Sequence, residues 1–193
     1  GFGDMSFEEN AAMRAARKRA TRPRKSKVRS PALPLRPAEL KLVSESIPDV
    51  RSAAGIITGN INIQDSPTRL VRTVRVHGFQ PAWPEMEGWN LIDGRYISER
   101  EHDGGANTML VSPIVAQRLW PDGSAIGQTL TLDNEDFSIV GLINTGNDDP
   151  AAIVPNVHIP LTTAMRILER EEFDSISVRS ASGQRSRRTP ALR

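Results

Sequence analysis

Three histidines, His77, His102 and His158, have the widest chemical repertoire in this 193-residue chain, because a neutral imidazole can ligate a metal or move a proton near neutral pH. No two of them form a His-x-His or His-Glu-x-x-His pair, so a metal site would depend wholly on the fold, and none is expected. His77 alternates with Val76, and His158 precedes Ile159, which places both on the wet face of a strand. Ser112 lacks a Gly-x-Ser-x-Gly elbow and, standing before Pro113, reads as a helix cap rather than a nucleophile. Asp148 and Asp149 have the composition of a calcium loop without its alternating oxygen ligands or distal Glu, so residues 144–150 read as an exposed turn. Gly1-Phe2-Gly3 follows no strand, and the pattern Gly-x-x-x-x-Gly-Lys-Ser/Thr is absent. The segment should therefore neither bind nor hydrolyse a nucleotide, and no cofactor is expected. Cysteine is missing, which excludes disulfides, thiolate metal sites and a cysteine nucleophile. With no nucleophile beside an acid–base pair, the residues point away from an enzyme.

Charge is distributed unevenly behind a formal net of +2. Residues 14–29 carry nine bases, Arg14, Arg17, Lys18, Arg19, Arg22, Arg24, Lys25, Lys27 and Arg29, and no acid. Arg185, Arg187, Arg188 and Arg193 make the other end basic, while residues 30–184 hold 12 bases against 20 acids. An acidic body between basic ends differs from a nucleic-acid-binding domain, whose charge forms a patch on the folded surface. The 14–29 run could contact phosphates, but it lacks interleaved aromatics and also reads as a solvated linker. No apolar run is long enough to cross a bilayer and no signal peptide opens the chain, so it reads as soluble; Gly1 in place of Met suggests a segment of a longer protein.

The elements that would position these residues follow from periodicity. Ser6 and Glu9 fit a capping box opening a helix to about Ala20, and residues 21–37, with Pro23, Pro31, Pro34 and Pro37, read as an extended linker. Pro37 starts a helix to about Ile47, on which Leu40, Val43 and Ile47 share a face. Strands are expected near 53–63 and 70–79, then a turn-rich connection around Pro81, Trp83, Pro84 and Trp89. A short strand at 107–111 leads to a helix over 113–120, with Val115, Ala116, Leu119 and Trp120 inward, stopped by Pro121-Asp122-Gly123. Residues 128–132 and 137–143 form a hairpin around the turn 133–136. A strand at 157–159, a helix from Thr162 to about Arg170 and a strand at 175–179 complete an α+β chain without internal repeats.

Between residues 91 and 176 a series of short pieces occurs in a telling order. They are Leu91-Ile92-Asp93-Gly94-Arg95-Tyr96-Ile97, Met109-Leu110-Val111, Ala116-Gln117-Arg118-Leu119-Trp120-Pro121-Asp122-Gly123, Ile126-Gly127, Phe137-Ser138-Ile139-Val140-Gly141-Leu142, Ile159-Pro160-Leu161-Thr162-Thr163-Ala164 and Asp174-Ser175-Ile176. Over residues 37–179 the chain resembles the MacB-type periplasmic core domain of ABC transporter permeases of the MacB/FtsX-like family. Gly94, Arg95, Trp120, Pro121, Gly123, Gly127, Gly141 and Pro160 stand out as scaffold positions. Glycines serve tight turns or close backbone approach, Ile159-Pro160 ends a strand with Thr162 capping the next helix, and Arg95 could pair with Glu101 or Asp103.

The resemblance implies a mixed α/β porter-like subdomain with an inserted β-rich, Sabre-like one. The expected organisation is a basic arm at 1–36, part of the porter at 37–87, the inserted subdomain at 88–179 and a basic polar tail at 180–193. It further implies a non-catalytic periplasmic or extracellular domain of an export permease in the cytoplasmic membrane. Such a domain would pass ATP-driven motion to substrate or to a periplasmic adaptor (membrane fusion) protein. The implied partners are a cognate ABC ATPase domain or subunit and a second permease, in a homodimer or heterodimer, with no nucleic acid. The alternative is a nucleic-acid or anionic-surface binding module using residues 14–29 and 185–193. Residues 14–29 depart from the family, because bases are uncommon just outside a first membrane helix. Residues 180–193 also depart from it, since they lack the family's returning segments.

Overall fold

The computed structural model describes residues 35–180 and the strand backbone at 185–188. The expected amino-terminal helix and the 14–29 run lie outside these residues. Helix α1 (Pro37–Ser46) starts where Pro37 presets the backbone; Glu39 accepts a hydrogen bond from the Arg36 amide at 3.0 Å, and the chain turns extended at Ile47. Leu40 is buried under this helix, whereas Leu42, Val43 and Ile47 stay exposed.

Strand β1 (Val50–Gln64) is longer at both ends than its apolar stretch suggests, and it pairs antiparallel with β2 (Thr73–Phe79) from Ile56 opposite Phe79 to Asn62 opposite Thr73. The connection after β2 contains a short helix, α2 (Trp83–Met86), on which Trp83, Pro84 and Met86 are all buried. There follow β3 (Asn90–Gly94), α3 (Glu99–Asp103), β4 (Thr108–Val111), α4 (Pro113–Leu119), β5 (Thr129–Leu132), β6 (Glu135–Asn144), β7 (Asn156–Pro160), α5 (Leu161–Leu168), β8 (Ser175–Ser180) and β9 (Arg185–Arg188).

Hydrogen-bonded pairing runs β2, β7, β4, β6, β5, β1 and returns to β2, so six strands close into a ring. The β2–β7 and β4–β6 pairs are parallel and the rest of the ring is antiparallel, giving the mixed α+β sheet expected. Closure protects edges that would otherwise template association. Outside the ring, β3 adds to β6, β8 adds to the first half of β1, and β9 adds to β8. The segments 37–87 and 88–179 thus contribute strands to one sheet. Residues 185–188, read from sequence as part of a polar tail, form an edge strand because their amides find β8, an interaction that side-chain polarity does not reveal.

Alternation sorts the ring's side chains between two faces. Val74 and Val76, Val157 and Ile159, Met109 and Val111, Phe137 and Ile139, and Leu130 and Leu132 meet in one cluster with Ile63, closed by Val115, Ala116 and Leu119 of α4 and by Ala164 and Ile167 of α5. The opposite face carries Ala54, Ile56, Phe79, Leu110 and Ile143, covered by Trp83 and Met86 of α2 and by Ile97, with Trp89 and Tyr96 packed alongside.

Several local expectations change. The hairpin turn is only Asp133-Asn134, both at positive φ, so Glu135 and Asp136 already belong to β6. Helix α5 starts at Leu161 with Pro160 at its cap position; Thr162 is not a cap, and its hydroxyl donates to the His102 carbonyl. It ends at Leu168 because Glu169 turns left-handed (φ 51°). Trp120 lies one residue past the end of α4, half-buried, and packs against the inner cluster as expected, at its margin rather than within it.

Candidate functional site

Four of the eight scaffold positions converge on one irregularity of the sheet. The β4–β6 register slips between Met109 and Leu110, so Met109 faces Ile139 while Leu110 faces Gly141. This bulge at Val140 re-aims the strand. Gly94, the last residue of β3, is the register partner of Gly141, and the Arg95 amide donates to the Val140 carbonyl at 3.0 Å. A side chain at Gly141 would collide with the Arg95 carbonyl, and one at Gly94 with the Val140 carbonyl. Gly94 also holds φ +74°, so both its conformation and its surroundings require glycine. Gly127 (φ +87°) donates to the Ile139 carbonyl at 2.9 Å, one residue before the bulge. These residues build a backbone junction.

Arg95 completes the junction through a carboxylate. Its guanidinium donates twice to Glu101, Nη1 to Oε2 and Nη2 to Oε1, both at 2.8 Å. Of the two partners expected from sequence, Glu101 is the one used; Asp103 instead lies 3.1 Å from His102 Nδ1. Glu101 also accepts from the Ser98 amide (2.9 Å) while Ser98 Oγ accepts from the Glu101 amide (3.2 Å), a capping box at the start of α3. The Arg95 hydrogen bonds, assisted by those from Ser98, hold the Glu101 carboxyl at about 2, against the opposing effect of burial.

The remaining scaffold positions lie elsewhere. Trp120, Pro121 and Gly123 follow α4, whose start is capped as expected, with Ser112 Oγ accepting from the Val115 amide at 3.2 Å. Pro160 ends β7 opposite Phe79. Asp148 sits in its turn half-buried rather than exposed; burial raises its pKa, opposed by bonds to Ser112 and Thr145.

The histidines behave differently from their sequence reading. His77 and His158 are register partners on adjacent parallel strands, and their rings stack with centroids 5.0 Å apart and planes 18° from parallel. His158 is buried rather than on a wet face, because the segment carrying Trp89 covers it edge-on at 4.7 Å. Burial, and secondarily the neighbouring His77, push the His158 pKa well below its usual 6.5, against a hydrogen bond to the Leu110 backbone. Among the described residues no group of three or more His, Asp or Glu is placed to hold a metal. The two histidines are distant in sequence, and only strand register could have paired them. The Ser98-x-x-Glu101 box, by contrast, was readable from its spacing.

The class of module is defined by its closed mixed sheet, with the glycine-lined backbone junction set into it. The same fold occurs in the extracellular domain of the noncanonic ABC-type transporter YknZ from Gram-positive bacteria, at TM-score 0.65 and 11% identity, covering 77% of this chain and 74% of that one. It occurs also in the periplasmic region of MacB from Actinobacillus actinomycetemcomitans, at TM-score 0.63 and 16% identity, over 81% and 70% of the two chains. The model of the MacB-like periplasmic core domain matches residues 5–189, and the chain belongs to that family. In sequence it is 24% identical over 159 residues to the macrolide export ATP-binding/permease protein MacB of Marinobacter nauticus, covering 81% of this chain and 24% of that protein. The chain spans between 16% and 24% of the length of the first curated relatives it matches. No helix among the described residues is long and apolar enough to cross a membrane.

Proposed function

We propose that this chain is the non-catalytic extracytoplasmic domain of an ABC-type export permease, carried by a larger protein in the cytoplasmic membrane. Its role is to pass motion driven by a cytoplasmic ATPase domain or subunit to the substrate or to an adaptor protein, within a permease dimer. The observation that carries this reading is the match of the MacB-like periplasmic core domain to residues 5–189, together with the fold shared with the extracytoplasmic regions of YknZ and MacB. A mechanical role requires stiffness, and the ring's dry core and closed hydrogen bonding supply it. The organisation into a porter part at 37–87 and an inserted part at 88–179 belongs to the same reading, with the shared sheet acting as the joint between them.

The test is Gly141→Val in the intact permease, with export and ATP hydrolysis measured side by side in membranes of matched permease content. Export should fall more than basal hydrolysis, because the lesion lies across the membrane from the motor. His77→Gln and His102→Gln should leave export largely intact at neutral pH. A silent Gly141→Val alongside a histidine variant that abolishes export would replace the mechanical reading with a chemical one.

A further inference from the structure

We propose that residues 83–89 form an acid-released flap, held on the outer face of the ring by the stacked imidazoles of His77 and His158. The flap is anchored by aromatic contacts. Trp89 lies edge-on to His158 at 4.7 Å and to Phe79 at 5.1 Å, while Trp83 and Met86 are buried in the same cluster. Beneath Trp89, His158 has its Nδ1 buried without a hydrogen-bond partner, and the ring bonds the Leu110 backbone through its other nitrogen. A neutral imidazole tolerates this position, since one bare lone pair and one satisfied N–H need no solvent. An imidazolium does not: Nδ1 becomes a buried donor with nothing to accept it, beside a second titratable ring at 5.0 Å.

The surroundings offer His158 little to offset that charge. On β2 the charged neighbour is Arg75, in register with Asn156, and on β7 Asn156 Oδ1 is 2.7 Å from His77 Nε2. On β1, Thr58 is the register partner of His77, and the nearby Asp174 carboxylate is engaged by the Thr58 amide and by Arg170. The β4 neighbour is Leu110, and beyond it Arg95 is paired with Glu101. The flap itself brings Glu85, exposed, and Glu87, half-buried. Tyr96, whose hydroxyl donates to the Trp89 carbonyl at 3.2 Å, stays neutral because burial raises its pKa.

The sign follows from linkage. Folded His158 remains neutral below pH 6.5, where a solvated imidazole binds a proton, so acid favours the state in which the flap has lifted and the ring is wet. The flap is then docked above about pH 6.5 and released progressively as the pH falls below it. In a domain outside the cytoplasm this would let external acidity loosen one covered face while the ring stays closed. The latch itself is a property of the domain and stands or falls apart from the transport reading.

The experiment uses the 193-residue chain with Trp83→Phe and Trp120→Phe, leaving Trp89 as the sole indole. Its emission and acrylamide quenching are followed from about pH 7.5 to about 4.5, a window dominated by imidazole titration. A reversible red shift with stronger quenching and unchanged far-UV circular dichroism is expected. His158→Phe, which keeps a ring but cannot titrate, should give a flat profile, and His158→Gln serves if that variant does not fold. His77→Gln removes a neighbour that disfavours the docked imidazolium, so the gap between docked and solvated His158 narrows and the release midpoint should move to lower pH. A flat profile in the parent overturns the proposal, as does an unaltered transition in the His158 variants or a midpoint unmoved by His77→Gln.

Discussion

The two faces of the ring are built from the same strands but held by different chemistry. Inside, the cluster around Phe137, Leu132 and Ile139 is wholly apolar and fully buried, with α4 and α5 closing it. Outside, the cover is a short aromatic segment laid over Phe79, Leu110 and a buried imidazole. The inner face derives its stability from buried area and close packing, which vary little with pH. Part of the outer face depends on one ring staying neutral. On the proposed reading, one sheet carries a face suited to stiffness and a face whose cover responds to acid.

Truncating the inner face should produce the largest effect. Phe137→Ala should destabilise the chain by about 3–5 kcal/mol, the range for deleting a fully buried aromatic, measured by urea denaturation. Gly141→Val comes next: a branched side chain directed at the Arg95 carbonyl must displace backbone, which should cost about 3 kcal/mol, the upper end for overpacking. Trp120→Ala should cost about 2 kcal/mol, less than a buried tryptophan, because the side chain sits half-buried at the end of α4. A loss equal to that of Phe137→Ala would mean that Trp120 counts as a fully buried member of the inner cluster rather than as a residue at its margin.

The smallest effect concerns the junction's ion pair. Glu101 has a folded-state pKa of about 2, below its ordinary value of 4.5. Its contribution is therefore fully present above pH 4.5 and is lost as pH falls through 2. Arg95→Ala should cost about 1 kcal/mol at neutral pH, since the arginine is largely solvated, and should flatten the dependence of stability on pH between those limits. Carboxyl titration by nuclear magnetic resonance would check it directly: Glu101 should titrate near its ordinary value in the variant.

The inner face was legible in sequence because alternation along β2, β5 and β6 states which side chains share a side. Alternation does not state whether the other side is also covered, which is why His158 read as wet. Its cover comes from Trp89, and no local pattern links the two. The junction was half legible. Gly94, Arg95 and Gly141 stood out as types, but their meeting depends on the register slip at Val140, which no residue type announces. The edge strand at Arg185–Arg188 escaped for a related reason, since its partner is backbone.

The claim that the domain works as a stiff body is tested most directly by locking it. Asn60 and Arg75 are exposed register partners on β1 and β2. They form a non-hydrogen-bonded pair, because Ile63 donates to the Arg72 carbonyl three positions along the ladder, and such pairs approach closely enough for a disulfide. The chain contains no cysteine, so Asn60→Cys with Arg75→Cys gives one defined cross-link within it. In the intact permease, export by the oxidised variant should equal export by the reduced one, because a body that moves as a unit loses nothing when its strands are tied. Export that stops on oxidation and returns with dithiothreitol would contradict the account, since the sheet would then have to flex to work.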